Sequence, residues 1–118
     1  MIKVGIVGVG HLGEIHLKLI LNSNLYILKG FYDNSEDRSK VISEKYKVNS
    51  YKSYEDLCND IDAVIICTPT LFHFEAAKFF LNRNKHVFIE KPITTNIDQA
   101  NKLIDLKNKN NLVGQVGH

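Results

Sequence analysis

The chain has 118 residues, 44% of them hydrophobic and 24% charged, with a formal net charge of +2. This composition predicts one globular domain with a real core, and the small, dispersed charge argues against nucleic acid or a membrane surface as a partner. No apolar run approaches the ~20 residues of a membrane span. Because the sequence enters an apolar segment at Ile2, we expect no signal peptide. Cys58 and Cys67 form no C-x-x-C and are expected as small buried hydrophobes in a reducing cytoplasm.

The first predicted element is an apolar strand that runs directly into Gly8, Gly10 and Gly13, spaced as Gly-x-Gly-x-x-Gly. Gly8 would allow the tight turn off the strand, and Gly10 would let the backbone approach a pyrophosphate. Gly13 would permit close packing of the following helix against the strand. The free N–H groups at the start of that helix, near residues 12–14, would face the phosphates.

A second apolar run ends in Asp33, 20 positions after Gly13. The glycines alone also fit an ordinary strand-turn-helix, but strand, glycines, helix and acid together indicate a dinucleotide-binding unit. The carboxylate of Asp33 can accept both hydroxyls of the adenosine ribose and would repel a 2′-phosphate, which favours NAD over NADP. The alternative is that Asp33 is a turn residue or a helix cap. We expect Arg38 to be a solvated helix residue, with stacking on adenine as the alternative.

Strand and helix patterns alternate along the whole chain. Predicted strands lie near residues 2–7, 26–32, 48–51, 62–67, 86–90 and 112–116, and predicted helices near 12–22, 36–46, 54–59, 72–82 and 97–109. Ser35, Ser53 and Asn96 are placed to cap three of the helices. The pattern predicts an α/β fold, a doubly wound parallel (Rossmann) sheet with strands in the order 3-2-1-4-5-6. Ligands then bind at the carboxyl ends of strands one and four.

Two polar segments follow strands at that edge of the sheet. The fourth strand leads into Thr68-Pro69-Thr70, and the fifth ends in Glu90-Lys91-Pro92. Thr68 and Pro69 could supply a rigid wall and a hydroxyl beside the nicotinamide, or form a plain strand-to-helix turn. A lysine at the mouth of the cleft can donate to a substrate oxygen, whereas Lys91 taken alone would be a solvated surface lysine.

The five histidines and two cysteines have no metal-ligand spacing, so no metal is predicted. In the glycine turn, the backbone N–H of His11 matters more than its ring, although a side chain beside the phosphates is the alternative. His16 and His86 are expected to be structural. His73 opens a helix near the nicotinamide end, where a direct role in the site and a structural role both remain open. No role is predicted for His118.

These pieces together resemble the N-terminal nucleotide-binding domain of the Gfo/Idh/MocA oxidoreductases, the glucose-fructose oxidoreductase and inositol dehydrogenase family. The resemblance covers essentially the whole chain, and it rests on the glycine motif with His16, on Asp33, on residues 67–73 and on residues 85–92. Its specific part is T-P-x-x-x-H followed by H-V-x-x-E-K-P. The family pattern often has Asn where this chain has Thr70, so a contact made by that Asn is not carried over.

The resemblance implies that Lys91 is catalytic and lies beside the nicotinamide and the substrate. It implies an NAD-dependent oxidoreductase that moves a hydride between the nicotinamide and a hydroxyl or carbonyl carbon of a sugar, cyclitol or nucleotide-sugar. Members continue into a second α/β domain, whereas this sequence stops at His118. We therefore expect residues 1–118 to be a single dinucleotide-binding domain cut from a two-domain enzyme, inactive alone, and the parent to be a cytoplasmic homo-oligomer.

The candidate site comprises one catalytic residue and a set of cofactor-binding residues. Lys91 belongs to both groups, and the other cofactor-binding candidates are Gly8, Gly10, His11, Leu12, Gly13, Asp33, Asn34, Thr68, Pro69, His73 and Glu90. A rival hypothesis is a non-catalytic NAD(H)-sensing domain, which shares the glycine turn and the acid. A third is an unrelated doubly wound domain that binds no nucleotide. Lys91 favours the enzyme, because a sensor needs no lysine at the hydride end.

Overall fold

The computed structural model describes residues 1–89, 101–102, 104–105, 107–108 and 114–116. Five strands and four helices have assigned bounds there: β1 Ile2–Val7, α1 His11–Leu21, β2 Tyr26–Tyr32, α2 Glu36–Tyr46, α3 Tyr54–Asn59, β3 Ala63–Ile66, α4 His73–Asn82, β4 His86–Ile89 and β5 Gly114–Val116. A 3₁₀ turn at Thr70–Phe72 precedes α4, and residues 101–102, 104–105 and 107–108 are helical. Within the described residues, no helix has the length and hydropathy of a membrane span.

All the strands pair in parallel, in the order β2-β1-β3-β4-β5. This confirms the predicted order except for its third strand. Residues 48–51 form only a single parallel bridge, between Ser50 and Phe31. Two backbone hydrogen bonds hold them, from the Phe31 N–H to the Asn49 carbonyl and from the Tyr51 N–H to the Phe31 carbonyl. The segment is short because α2 ends in the left-handed residue Lys47 and α3 is already capped at Ser53.

The strand residues alternate between two cores, one on each face of the sheet, as doubly wound folds require. On one face α1 and α2 cover a cluster that contains Ile6, Leu17 and Phe31. On the other face α3 and α4 cover a cluster that contains Val7 and Phe80. Ile6 and Val7 are neighbours in β1, so the sheet is buried on both sides at its centre. This arrangement fixes the carboxyl ends of β1 and β3 next to each other.

The capping predictions are confirmed where the chain is described. The Ser35 hydroxyl accepts from the Arg38 N–H at 3.2 Å, and the Ser53 hydroxyl accepts from the Asp56 N–H at 3.1 Å. Asn96 lies outside the described residues.

The two cysteines differ in their surroundings. Cys58 is buried as predicted, but Cys67 is only half-buried. The prediction that Cys67 would be a buried hydrophobe was therefore wrong. Cys67 follows the last residue of β3 and lines the cavity at the carboxyl edge of the sheet.

Candidate dinucleotide site

A cavity of about 640 Å³ opens at the carboxyl ends of β1, β2 and β3, a size typical of small-molecule sites. Nine of the predicted cofactor-binding residues line it: Gly8, Gly10, His11, Leu12, Asp33, Asn34, Thr68, Pro69 and His73. Gly13 does not line the cavity, but it lies close to the Gly8 carbonyl of the glycine loop. Glu90 and Lys91 lie outside the described residues, as does Pro92.

The three glycines of the loop are needed for different reasons. Gly8 has φ +91°, and a Cβ there would meet the backbone of Cys67 and Thr68 at 2.9 Å. A Cβ on Gly13 would lie 1.9 Å from the Gly8 carbonyl oxygen. Among the residues that the structure describes, none but its chain neighbours would lie within 4 Å of a Cβ on Gly10. The fold therefore requires glycine at positions 8 and 13, whereas at position 10 only an occupant of the cavity would.

The first turn of α1 faces the cavity without a side-chain cap. Its N-cap is Gly10, and the first bond of the helix runs from the Glu14 N–H to the Gly10 carbonyl at 2.9 Å. The N–H groups of the first helical residues have no partner within the helix. His11 and Leu12 begin this turn, and both are exposed. Such a helix start, with the positive end of the helix dipole behind it, suits an anion such as a phosphate.

Asp33 ties the start of the α2 connection to the glycine loop. One carboxylate oxygen accepts from the Val9 N–H at 2.8 Å, and the other accepts from the Ser35 N–H at 2.8 Å. The second bond joins residues two positions apart, as expected of a turn residue, which was the alternative prediction for Asp33. It does not compete with ligand binding, because each oxygen of a carboxylate has a second lone pair and Asp33 also lines the cavity.

Arg38 binds the carbonyl group of Val9, the residue whose N–H donates to Asp33. Its Nε donates to the Val9 carbonyl at 2.7 Å, and a terminal nitrogen donates to the Glu14 carboxylate at 2.8 Å. The expectation of a solvated helix residue was therefore wrong for Arg38. Its side chain retains 34% of its exposure, but the guanidinium is fixed against the glycine loop.

Glu14 is the centre of a polar cluster that joins α1 to α2. Its carboxylate accepts from Arg38, from the Lys45 ammonium at 2.8 Å and from the Tyr46 hydroxyl. The bonds from Lys45 and Tyr46, and then that from Arg38, lower the pKa of Glu14 to about 2 against the opposing effect of burial. Lys45 and Tyr46 each donate a hydrogen bond to Glu14, and this bond raises the pKa of each donor. Sequence reasoning missed this cluster, although Glu14 directly follows the last glycine of the motif.

His73 lies behind the loop that follows β3. It is 1% exposed, and its Nε2 donates to the Thr68 carbonyl at 2.6 Å, since a carbonyl can only accept. His73 therefore fixes the wall of the cavity, and its direct contact with a ligand stays a prediction. The Thr68 hydroxyl oxygen is buried with no hydrogen-bond partner in the part of the chain that is described. A buried hydroxyl of this kind is costly unless a bound group satisfies it.

Aromatic side chains complete the wall of the cavity, and none of them was predicted. Tyr32, Tyr54 and Phe72 line it, and the rings of Tyr32 and Tyr54 meet edge to face at 5.1 Å. Tyr32 could have been found from its place directly before Asp33, whereas nothing in the sequence singles out Tyr54. Across the described residues, no group of three His, Cys, Asp or Glu side chains is arranged to hold a metal ion.

The sheet order, the helices on both faces and the glycine loop are those of a Rossmann domain. The family described as "Oxidoreductase family, NAD-binding Rossmann fold" matches residues 2–118. The chain therefore belongs to the Gfo/Idh/MocA oxidoreductases, as its motifs suggested.

Similar proteins include several named enzymes. UDP-N-acetylglucosamine 3-dehydrogenase of Acidithiobacillus ferrooxidans is 32% identical over 98% of this chain and 36% of its own length. Myo-inositol 2-dehydrogenase of Thermotoga maritima is 33% identical over 94% of this chain and 34% of its own length. A structure of biliverdin reductase with biliverdin and NADP+, from Synechocystis sp. PCC 6803, is 28% identical. It superposes with a TM-score of 0.94 over 99% of this chain and 38% of that one. The chain thus spans little more than a third of these relatives.

Proposed function

We propose that this chain is the cofactor-binding domain of an NAD-dependent oxidoreductase that acts on a CH–OH group. The parent enzyme would transfer a hydride between the nicotinamide and a hydroxyl or carbonyl carbon of a sugar, cyclitol or nucleotide-sugar. Support for this substrate class comes from two relatives, which are named as dehydrogenases of UDP-N-acetylglucosamine and of myo-inositol. Since the chain spans about a third of each, the substrate pocket would be completed by a further domain.

The observation that carries the proposal is the open space in front of Gly10. Apart from its chain neighbours, no atom of the described residues lies within 4 Å of a Cβ built there, so packing gives no reason for glycine in the middle of this loop. A pyrophosphate approaching the start of α1 does give one, because it needs close contact with the backbone. The buried, unsatisfied Thr68 hydroxyl and the Asp33 carboxylate, which border the same cavity, provide a polar partner at two further points.

Each part of the cavity has a defined task in this proposal. The N–H groups at the start of α1 bind the pyrophosphate, and Asp33 accepts the hydroxyls of the adenosine ribose. Thr68 and Pro69 form the wall at the nicotinamide end, with His73 holding the Thr68 carbonyl in place. When bound, the nicotinamide supplies the hydride chemistry at its C4.

NAD is the proposed cofactor rather than NADP, on the ground of charge. Asp33 would repel a 2′-phosphate, which carries about −1.5 to −2 charges at neutral pH. The bound NADP+ of the biliverdin reductase belongs to that protein, and it makes the cofactor preference of this chain a question for direct measurement.

Lys91 is the proposed catalytic residue of the parent enzyme. It follows the end of β4 by two positions in the sequence, and β4 ends beside β3 at the edge where the cavity opens. A lysine there can donate to the reacting oxygen and stabilise its negative charge once a second domain excludes water.

Turnover by the full-length protein tests the proposal. Candidate cyclitols, sugars and nucleotide-sugars would be supplied with NAD+, and formation of NADH would be followed by its absorbance. We expect one substrate class to support turnover and Lys91→Met to remove most of it with the Kd for NADH nearly unchanged. Lys102→Met, at an exposed helical position, is the matched control and should retain activity. Wild-type turnover by Lys91→Met would contradict the catalytic assignment.

A further inference from the structure

The peptide segment at Val9 is held from both sides by charged groups of the α2 region. Its N–H donates to Asp33, and its carbonyl accepts from Arg38. The Arg38 guanidinium and the Asp33 carboxylate, which binds the ribose in the proposed function, therefore contact the same residue. An arginine that binds the same residue as Asp33 is well suited to pair with the 2′-phosphate of a ribose held at Asp33, because its planar fork matches phosphate oxygens.

Arg38 is already engaged by a carboxylate of this chain. Glu14 pairs with it at 2.8 Å and pairs with Lys45 at the same distance, so one acid holds two bases. The Glu14 side chain is only 14% exposed, whereas those of Arg38 and Lys45 are 34% and 55% exposed. The acid is less accessible than either cation, and both cations reach it from α2.

We propose that Glu14 is a specificity-determining residue of the cofactor site, because it holds Arg38 and Lys45 away from a 2′-phosphate. This inference rests on the proposed binding of a nicotinamide dinucleotide. Asp33 then disfavours NADPH by repulsion, and Glu14 disfavours it by keeping the nearby positive charge paired. Glu14 acts through Arg38 and needs no contact with the cofactor.

The cofactor ratio separates this role from a merely structural one. Loss of a structural link between α1 and α2 would loosen the glycine loop and weaken the binding of NADH and of NADPH by the same factor. Loss of the Glu14 carboxylate leaves Arg38 and Lys45 unpaired near the ribose site, and this strengthens the binding of NADPH relative to that of NADH. Because the cations are partly exposed and screened by water, we expect a moderate change of about fivefold in the ratio of the two Kd values.

The experiment is a fluorescence titration of NADH and NADPH against the full-length protein. In Glu14→Gln, which keeps the shape of the side chain, the ratio of the NADPH Kd to the NADH Kd should fall about fivefold. Adding Arg38→Met and Lys45→Met to Glu14→Gln removes both released cations and should return the ratio to the wild-type value. Glu55→Gln removes the same charge from an exposed site on α3, across the sheet from this cluster, and should leave the ratio unchanged.

An unchanged ratio in a folded Glu14→Gln protein would overturn the inference, as would an equal shift in Glu55→Gln. If Glu14→Gln does not fold, Glu14→Asp decides, because its shorter side chain cannot keep both cations paired as Glu14 does. Its ratio should also fall, and an unchanged ratio would overturn the inference. A wild-type protein that binds neither cofactor would refute the proposed function itself, whereas tight NADH binding with no response at Glu14 refutes this inference only.

Discussion

Gly10→Ala and Gly13→Ala are expected to affect different properties, ligand binding and stability, although both add one methyl group to the same loop. At position 13 the new Cβ would lie 1.9 Å from the Gly8 carbonyl oxygen, a backbone atom that cannot move unless the loop moves. At position 10 it would meet no neighbour within 4 Å in the described part of the chain. Gly13→Ala therefore affects the fold, whereas Gly10→Ala mainly affects what enters the cavity.

The magnitudes follow from the two environments. Overpacking of this severity costs up to about 3 kcal/mol, and the better helix propensity of alanine returns about 1 kcal/mol. Gly13→Ala should therefore lower the free energy of unfolding by about 2 kcal/mol, which is about 8 °C in Tm for a chain of this size. At position 10 a poorer N-cap and a less flexible unfolded chain nearly offset each other, within about 1 kcal/mol.

The assay combines thermal unfolding by circular dichroism with fluorescence titration of NADH. Gly10→Ala should melt within about 4 °C of the wild type and bind NADH at least about tenfold more weakly. Gly10→Val should show no binding at all while still folding. If Gly10→Val bound NADH as tightly as the wild type, the assignment of the phosphate path would be wrong. An unchanged Tm in Gly13→Ala would refute the argument from close packing.

Three further outcomes are expected. Asp33→Ser should narrow or reverse the preference for NADH over NADPH in calorimetry, since it removes the negative charge beside the 2′ position; a preference unchanged from the wild type would contradict this. Because the pKa of Glu14 is lowered to about 2, its ionised form stabilises the fold above pH 4.5, and this contribution is lost as the pH falls through 2. The stability difference between wild type and Glu14→Gln in urea unfolding should therefore shrink from pH 5 to pH 2, and a constant difference would refute the assigned cause. Phe80 is fully buried, so Phe80→Ala should cost about 3–5 kcal/mol in the same assay, and a loss below about 1 kcal/mol would contradict its place in the core.

The sheet order and the helices could be predicted because local signals and the tertiary fold agree. The continuous apolar run at β3, the capping serines of α2 and α3 and the glycine motif each determine one element, and the right-handed crossover then limits how the elements connect. The third predicted strand was wrong for a reason that local patterns do not contain. Residues 48–51 have a strand-like composition, but the turn at Lys47 and the cap at Ser53 leave them room for only one bridge.

The cavity could be predicted only where a motif marks it. The glycines, Asp33 and Thr68 follow strand ends in a recognisable pattern, whereas Tyr54 enters the cavity from the start of α3. The role of Arg38 was also out of reach, since it depends on two contacts made across 24 and 29 residues of sequence. Such pairings follow from how α1 and α2 pack together, and neither helix carries a local signal for them.

In the proposed function, the cavity at the carboxyl edge of the sheet binds a nicotinamide dinucleotide through the glycine loop and selects it at the ribose. Calorimetric titration of NADH and NADPH into the unmodified full-length protein measures both properties. We expect saturable binding of both cofactors, with the lower Kd for NADH. Equal affinities would contradict the role of Asp33, and the absence of binding by either cofactor would contradict the claim as a whole.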